Sequence, residues 1–299
     1  MRHHATLRYV DAIARHGSIR RAAEALAITP SALNRRLLAL EDELGAPLFE
    51  RQAWGVRLSS AGELFVHHAR QQMADMARVR ASIEDMKGAR RGHVAVALDA
   101  SIDPEPLMGM IDVYRQQHPG VTFAVLPCDR GNVTAMLVDF RVDLALAVEP
   151  EHAGAFATLS TLPLRTEVLV SRSHPLATAE EVRLHDLLPY SLVLPPPGRS
   201  LRFLIDLAAA RGDITLDPVV VSDTVAARAL VTNGTTVGMR LGSEGTEREG
   251  YDLQTAVALD PRDVPPAMLH LGQLRDRSLP VPAARFAEVI RRRVEELSN

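Results

Sequence analysis

Residues 17–45 read GSIRRAAEALAITPSALNRRLLALEDELG, and this stretch decides the front of the fold. Ser18 is placed to cap a short helix whose inner face is Ile19, Ala22, Ala23 and Leu26, the i, i+3, i+4, i+7 spacing of a single helical stripe. The small pair Ala22-Ala23 lets another helix cross closely. The chain then breaks at Ile28-Thr29. Thr29 can cap the next helix, and Pro30 takes its first position, where a missing N–H costs nothing. That helix is predicted to run to about Leu44, with Gly45 as its C-cap. Leu33, Leu37, Leu40 and Leu44 share the inner face. Ser31, Asn34, Arg35 and Leu38 share the outer one, with Arg36 flanking. A helix that presents Ser, Asn and Arg from its first turns fits a major groove, where arginine meets guanine edges or phosphates and Asn34 meets adenine. The competing reading is a solvated polar face. The preceding pattern weighs against it, because Leu7, Val10, Ile13 and Ala14 mark another helix. Three helices in tandem with so short a break describe a helix-turn-helix.

The next segment, APLFERQAWGVRLSSAGE at 46–63, reads as two short strands, Leu48-Phe49 and Val56-Arg57-Leu58, around a turn at 52–55. This is a wing. Arg51 and Arg57 flank it and are placed to hold phosphates. Ser60 and Glu63 form a capping box for a following helix.

The run AAEALAITPSALNRRLLALEDELGAPLFER, continued by VRLSSAGE, resembles the DNA-binding domain of LysR-type transcriptional regulators. Ala22-Ala23, Leu26, Ser31-Ala32, Leu40-Glu41, Leu44-Gly45, Leu48-Phe49-Arg51, Leu58 and Ala61-Gly62 carry the resemblance. Two residues depart from the family pattern. Asn34 stands where serine is more common. Trp54 stands at the wing tip, where many relatives place an arginine. A tryptophan there stacks on sugar, wedges apolar surface, or covers the wing. The DNA-contacting set is therefore Ser18, Thr29, Pro30, Ser31, Asn34, Arg35, Arg36, Arg51, Trp54 and Arg57.

From Ser60 the helical pattern meets no breaker until Gly88. Phe65, Ala69, Gln72, Met76, Val79, Ile83 and Met86 alternate spacings of four and three, a heptad seam. One reading is a long amphipathic helix packed on its own domain. The resemblance implies the other, an antiparallel linker pair that forms a dimer through Phe65, Met76, Val79, Ile83 and Met86. His67 and His68 do not share a helical face, which makes them a poor metal pair.

KGARRG at 87–92 reads as a basic hinge. Beyond it, apolar runs alternate with helical patterns. HVAVAL, TFAVL, DLALAV, EVLVS, SLVLP, PVVVS, TVGMR and AMLHLG read as strands, and 105–118, 132–140, 200–211, 224–233 and 282–297 as helices. Such alternation means α/β with parallel-rich sheets, whose ligands bind at the carboxyl ends of strands. Those ends are Ser101, Cys128 to Arg130, Glu149, the PPPGRS run with Arg199 and Ser200, Ser222 to Thr224, and Arg240. The resemblance implies a type 2 periplasmic-binding-protein-like effector domain of two subdomains with a cleft between them, and its polar pocket positions fall on Ser101, Ser200 and Thr224. The expected organisation is a winged helix-turn-helix over 1–59, a linker helix over 60–90 and an effector domain over 91–299. Subdomain I takes about 91–162 and 266–299, and subdomain II about 163–265.

Arg199 and Arg202 at a helix start favour an anionic effector. Asp103 and Glu105 at another helix start oppose one or select an ammonium group. A small amphoteric or hydroxylated acid meets both, and solvated helix-terminal charges are the plainer alternative. Cys128, the single cysteine, forms no intrachain disulfide. It raises redox sensing, against the reading of a small side chain near the pocket.

Charge is uneven. Through Gly92 there are 15 Arg and Lys against 10 Asp and Glu, a net of +5, which leaves −8 for the remainder of a chain of formal charge −3. A basic front on an acidic body points to a polyanion met by the front alone. No charged-then-apolar leader opens the sequence and no apolar run reaches transmembrane length, so a cytoplasmic protein away from membranes is expected. No Walker loop, GxSxG, HExxH or GxGxxG supports an enzyme. A solute-binding protein without a DNA role is the remaining alternative. The expected partners are duplex DNA, a small-molecule effector, further copies of the chain as dimer or tetramer, and RNA polymerase. No cofactor is expected.

Overall fold

The computed structural model describes residues 2–86, 92–151, 154–232, 234–243 and 253–298. The basic hinge at 87–91 lies outside the described residues, as do the side chains of Met86 and Thr224. The chain forms two compact units, the first of residues 1–87 with 138–140 and the second of the remainder.

In the first unit, α1 (Arg2–His16), α2 (Ile19–Ala25) and α3 (Pro30–Leu44) are followed by β1 (Phe49–Gln52), β2 (Gly55–Leu58) and the long α4 (Ser60–Met86). The helix signals act as the sequence predicts. Ser18 Oγ accepts from Arg21 N, Thr29 Oγ1 accepts from Ala32 N at 3.3 Å, and Gly45 closes α3 at φ +67°. Val10, Ile13, Ala22, Ala23, Leu33, Leu37, Leu40, Leu48, Phe49 and Val66 form one core. Leu44 does not join it: it is 46% exposed, because the last turn of α3 extends past the helices that cover Leu33 to Leu40.

Two boundaries differ from expectation. The wing strands include Gln52 and Gly55, so the turn is only Ala53-Trp54. The cap of α4 is Ser59 rather than Ser60. Ser59 Oγ accepts from Gly62 N at 3.0 Å and donates to Pro47 O at 2.6 Å, which ties the helix start to the segment leading into β1 and leaves Glu63 outside any capping box. Arg70 on α4 is pinned to α1 by a 2.7 Å ion pair with Asp11.

The second unit runs β3 (Gly92–Asp99), α5 (Glu105–Gln117), β4 (Val121–Cys128), α6 (Val133–Val138), β5 (Leu144–Val148), β6 (Phe156–Ser171), β7 (Glu181–Val182), β8 (Ser191–Leu194), α7 (Ser200–Arg211), β9 (Pro218–Val221), α8 (Thr224–Leu230), β10 (Thr236–Gly242), β11 (Gln254–Leu259), β12 (Ala267–Leu274) and α9 (Val281–Ser298). The main sheet path is β4-β3-β5-β12-β6-β10-β8-β9. β3 pairs in parallel with β4 and β5, and β8 with β9 and β10. Its centre is antiparallel, which the expected parallel-rich pattern does not include: β6 runs against β12, β10 and β11. Residues Phe156 to Leu164 of β6 pair with β12, and Arg165 to Ser171 pair with β10 or β11, so one strand serves both halves. β6 therefore starts well before the EVLVS run, and β7 and β11 add to the expected strands. The helix expected over 132–140 is shorter. It begins as a single 3-10 turn at Arg130–Asn132, continues as α6, and is followed by Phe140 at φ +53°. α8 likewise ends at Leu230. Among the described residues no helix is long and apolar enough to cross a membrane.

Candidate nucleic-acid interface and ligand cleft

The start of α3 is a fixed platform. Thr29 and Pro30 set its first turn, Leu33 and Leu37 bury its inner face, and Ser31 and Arg35 stand exposed on the other side with Asn34 half-buried between them. Arg36 faces elsewhere. Its Nη1 donates to Tyr9 OH at 3.0 Å, and its guanidinium lies 5.0 Å from the Tyr9 ring, so it braces α3 against α1. Ser18 also has a local task as the α2 cap. Glu41, to which the sequence assigns no role, takes the backbone N–H groups of Leu48 and Phe49 at 2.7 and 3.2 Å and so sets where the wing leaves α3. Arg51, Trp54 and Arg57 are all exposed on the wing.

On α4 the heptad seam divides. Ala69 is buried and Phe65 half-buried against the first unit's own core, so Phe65 is not a free dimer contact. Met76, Val79 and Ile83 are exposed.

In the second unit the strand ends converge on a residue that the sequence did not single out. Asp99, the last residue of β3, is 0% exposed. Its carboxylate accepts from Ser101 N at 2.9 Å, Val148 N at 3.3 Å and Ser200 Oγ at 2.5 Å. Ser101 Oγ in turn accepts from Leu201 N at 3.0 Å. The start of α7 is thus held to the ends of β3 and β5 by two side chains. Burial pushes the Asp99 carboxyl up from its ordinary value, and the Ser200 and backbone hydrogen bonds pull it part of the way back. A lone acid closing the apolar run HVAVALD, two residues before Ser101, was the available signal.

The structure brings Ser101, Ser200 and Cys128 around this carboxylate, and gives the charged candidates partners of their own. Glu149 holds a left-handed backbone, φ +43°, and accepts from Met268 N at 2.8 Å, pinning β5 to β12 rather than facing a cleft. Arg240 lies within β10 opposite Glu167 on β6 and pairs with it at 2.7 Å. Arg199 is paired with Asp129 at 2.9 Å, and Arg202 with Asp206 at 2.8 Å and with Pro195 O. Asp103 meets Arg228. Beside α7 an open cleft of about 460 Å³ is lined by Arg130, Glu151, Arg202, Phe203, Asp206 and Leu207, with the Arg130 guanidinium 4.2 Å from the Phe203 ring.

Cys128 is buried, and its thiol is pushed up to about 12, first by burial and then by the nearby Asp99 and Asp129 charges. A thiolate is the reactive form. Native protein at pH 8 is therefore expected to resist alkylation by iodoacetamide, while protein in denaturant takes one label, as read by intact mass. Rapid labelling of the native chain would instead restore Cys128 as a sensor.

Two family models cover the chain. The model described as "Bacterial regulatory helix-turn-helix protein, lysR family" matches residues 4–63, and the one described as "LysR substrate binding domain" matches residues 87–295. The chain belongs to the LysR family. It is a LysR-type DNA-binding transcriptional regulator with an effector domain. Among its relatives, the RuBisCO operon transcriptional regulator of Allochromatium vinosum is 26% identical over 289 residues, which is 95% of this chain and 94% of that one. A probable RuBisCO transcriptional regulator of Synechocystis is 28% identical over 70% of this chain and 61% of that one. Among solved structures, a full-length OxyR variant from Pseudomonas aeruginosa gives a TM-score of 0.70 at 20% identity, covering 98% of this chain and 94% of that one. Full-length CbnR complexed with its target DNA gives 0.61 at 22%, covering 97% and 99%. The named relatives are regulators rather than enzymes.

Proposed function

We propose that this LysR-family regulator reads duplex DNA through Asn34 and Arg35 at the start of α3, with Ser31 beside them and Arg51 and Arg57 on the wing holding phosphates. Thr29, Pro30, Ser18 and Arg36 orient that surface. The observation that carries this reading is the outer face of α3, where a serine, an asparagine and an arginine stand on two capped turns whose inner face is fully packed. The protein acts in the cytoplasm as a homodimer or tetramer, joined at least through Met76, Val79 and Ile83 of α4. Two copies supply two readers, whose half-sites lie about one helical turn or a multiple of it apart. RNA polymerase is the downstream partner, and the protein does no catalysis of its own.

The effector is a small polar molecule that exchanges for the Asp99–Ser200 and Ser101–Leu201 hydrogen bonds at the start of α7, with the Arg199–Arg202 side adjoining and Thr224 a further expected contact. Asp99 already places negative charge where a helix start favours an anion, so a simple carboxylate needs Arg199 or Arg202 released from Asp129 or Asp206. A hydroxylated or amphoteric molecule meets both sides, and ligand entry alters the spacing of the readers by changing how the two halves of the second unit close.

The test separates the two kinds of arginine. Arg35→Ala is expected to weaken binding to a preferred duplex by about 1–3 kcal/mol and to flatten base preference at a single position. Arg57→Ala is expected to weaken all duplexes alike and to lower the slope of log K against log salt by about one. Equal loss across sequences for Arg35→Ala would reassign it to phosphate positioning.

A further inference from the structure

The wing ends in the two-residue turn Ala53-Trp54, and the Trp54 side chain is 97% exposed, the most exposed large apolar group among the described residues. A single exposed apolar side chain is unremarkable on most surfaces. Its seat sets this one apart. Gly55 presses against the turn between α1 and α2, and Val56 N donates to Gly17 O at 2.9 Å, so the hairpin is anchored directly beside its turn, next to the residue that carries the indole. Arg51 and Arg57 stand exposed on either strand, with Glu50 opposite Arg57. An apolar blade between two cations matches a groove with anionic walls and an apolar sugar lining, and a minor groove roughly 6 Å wide admits a flat ring.

We infer that Trp54 is an apolar wedge that enters the minor groove and reads the deformability of a base step rather than a base edge. This rests on the DNA-reading function proposed above. The indole has one donor and no acceptor, so it has little to tell bases apart with by hydrogen bonding. A wedge instead unstacks a step and kinks the duplex, and pyrimidine–purine steps yield most easily. The wing thereby prefers a TA or CA step at a position where no side chain reads the base.

The chain has one tryptophan, so its emission reports this residue alone. The full-length protein would first be used to select a duplex from a random-sequence pool. Binding of that fluorescein-labelled duplex would then be followed by anisotropy, and Trp54 emission by titration with unlabelled duplex. Emission is expected to be quenched on binding. Trp54→Ala is expected to weaken binding about 5- to 100-fold, while Trp54→Phe retains most of the affinity. The salt slope of Trp54→Ala should match wild type, since no phosphate contact is lost. Replacing the flexible step by AA should weaken the wild type and leave Trp54→Ala indifferent. Unchanged emission with wild-type affinity and step preference in Trp54→Ala, while anisotropy still reports binding, would overturn the wedge and leave the α3 reader standing. A pool from which no duplex is enriched or bound would overturn both.

Discussion

Gly55→Ala is expected to lower the unfolding free energy of the first unit by about 2–4 kcal/mol and to weaken DNA binding with it. A Cβ at this position would lie 2.2 Å from the carbonyl oxygen of Gly17, and the backbone holds φ +150°, which L side chains rarely adopt. The obstacle is backbone, so no rotamer change relieves it. The hairpin must lift, and the 2.9 Å hydrogen bond from Val56 N to Gly17 O breaks with it. Strain contributes about 1–3 kcal/mol and the lost bond about 1 kcal/mol. Arg57 and Trp54 then lose their fixed position. Gly17→Ala makes the comparison: its φ is +59°, but its nearest atom is 3.8 Å away, so only the left-handed penalty of about 1–2 kcal/mol applies. Urea unfolding of both variants checks the order. A Gly55→Ala protein with the wild-type midpoint and affinity would mean that the wing is not seated on that turn.

Asp99→Ala is expected to destabilise the second unit by about 2–4 kcal/mol, because the buried N–H groups of Ser101 and Val148 lose their side-chain acceptor and the Ser200 hydroxyl keeps only the long 3.5 Å contact with Val148 O. Asp99→Asn keeps the volume and part of the acceptor capacity and should lose less. The pH dependence has a definite sign. Burial holds the Asp99 carboxyl above its ordinary value of 3.8, so the folded chain takes up this proton more readily than the unfolded one. The stability of wild type relative to Asp99→Asn is then full below 3.8 and declines as pH rises through the raised value. Urea titrations at several pH values measure it. A difference that grows with pH would show the carboxylate to be favoured in the fold.

The helix-turn-helix was legible because its signals are local. Ser18, Thr29-Pro30 and Gly45 act on backbone within one turn, and the leucine stripe of α3 follows from spacing alone. Leu44 and Phe65 mark the limit of that reasoning: periodicity names a face but not where the partner ends. The charged residues of the second unit misled for a related reason. Arg199, Arg202 and Arg240 sit where ligands bind in such sheets, yet each has a carboxylate partner, and only the Arg202–Asp206 pair, four apart on a helix, was readable in advance. Asp129 and Glu167 are brought up by pairing between distant segments. β11 was missed likewise, since QTAVAL becomes a strand by lying against β6, which no short window displays.

The strand β12 belongs to the first half of the sheet, where it lies between β5 and β6, yet it is among the last parts of the chain. Met268, which docks on Glu149, comes 119 residues after it. On a ribosome adding about 5–20 residues per second, β5 waits roughly 6–24 s with one edge open. An all-apolar edge of LALAV held open for that long is a template for the wrong neighbour. Expression of this protein should therefore be sensitive to translation speed and chaperone supply between β5 and β12. A nascent chain stalled in that interval is the species to look for in aggregates.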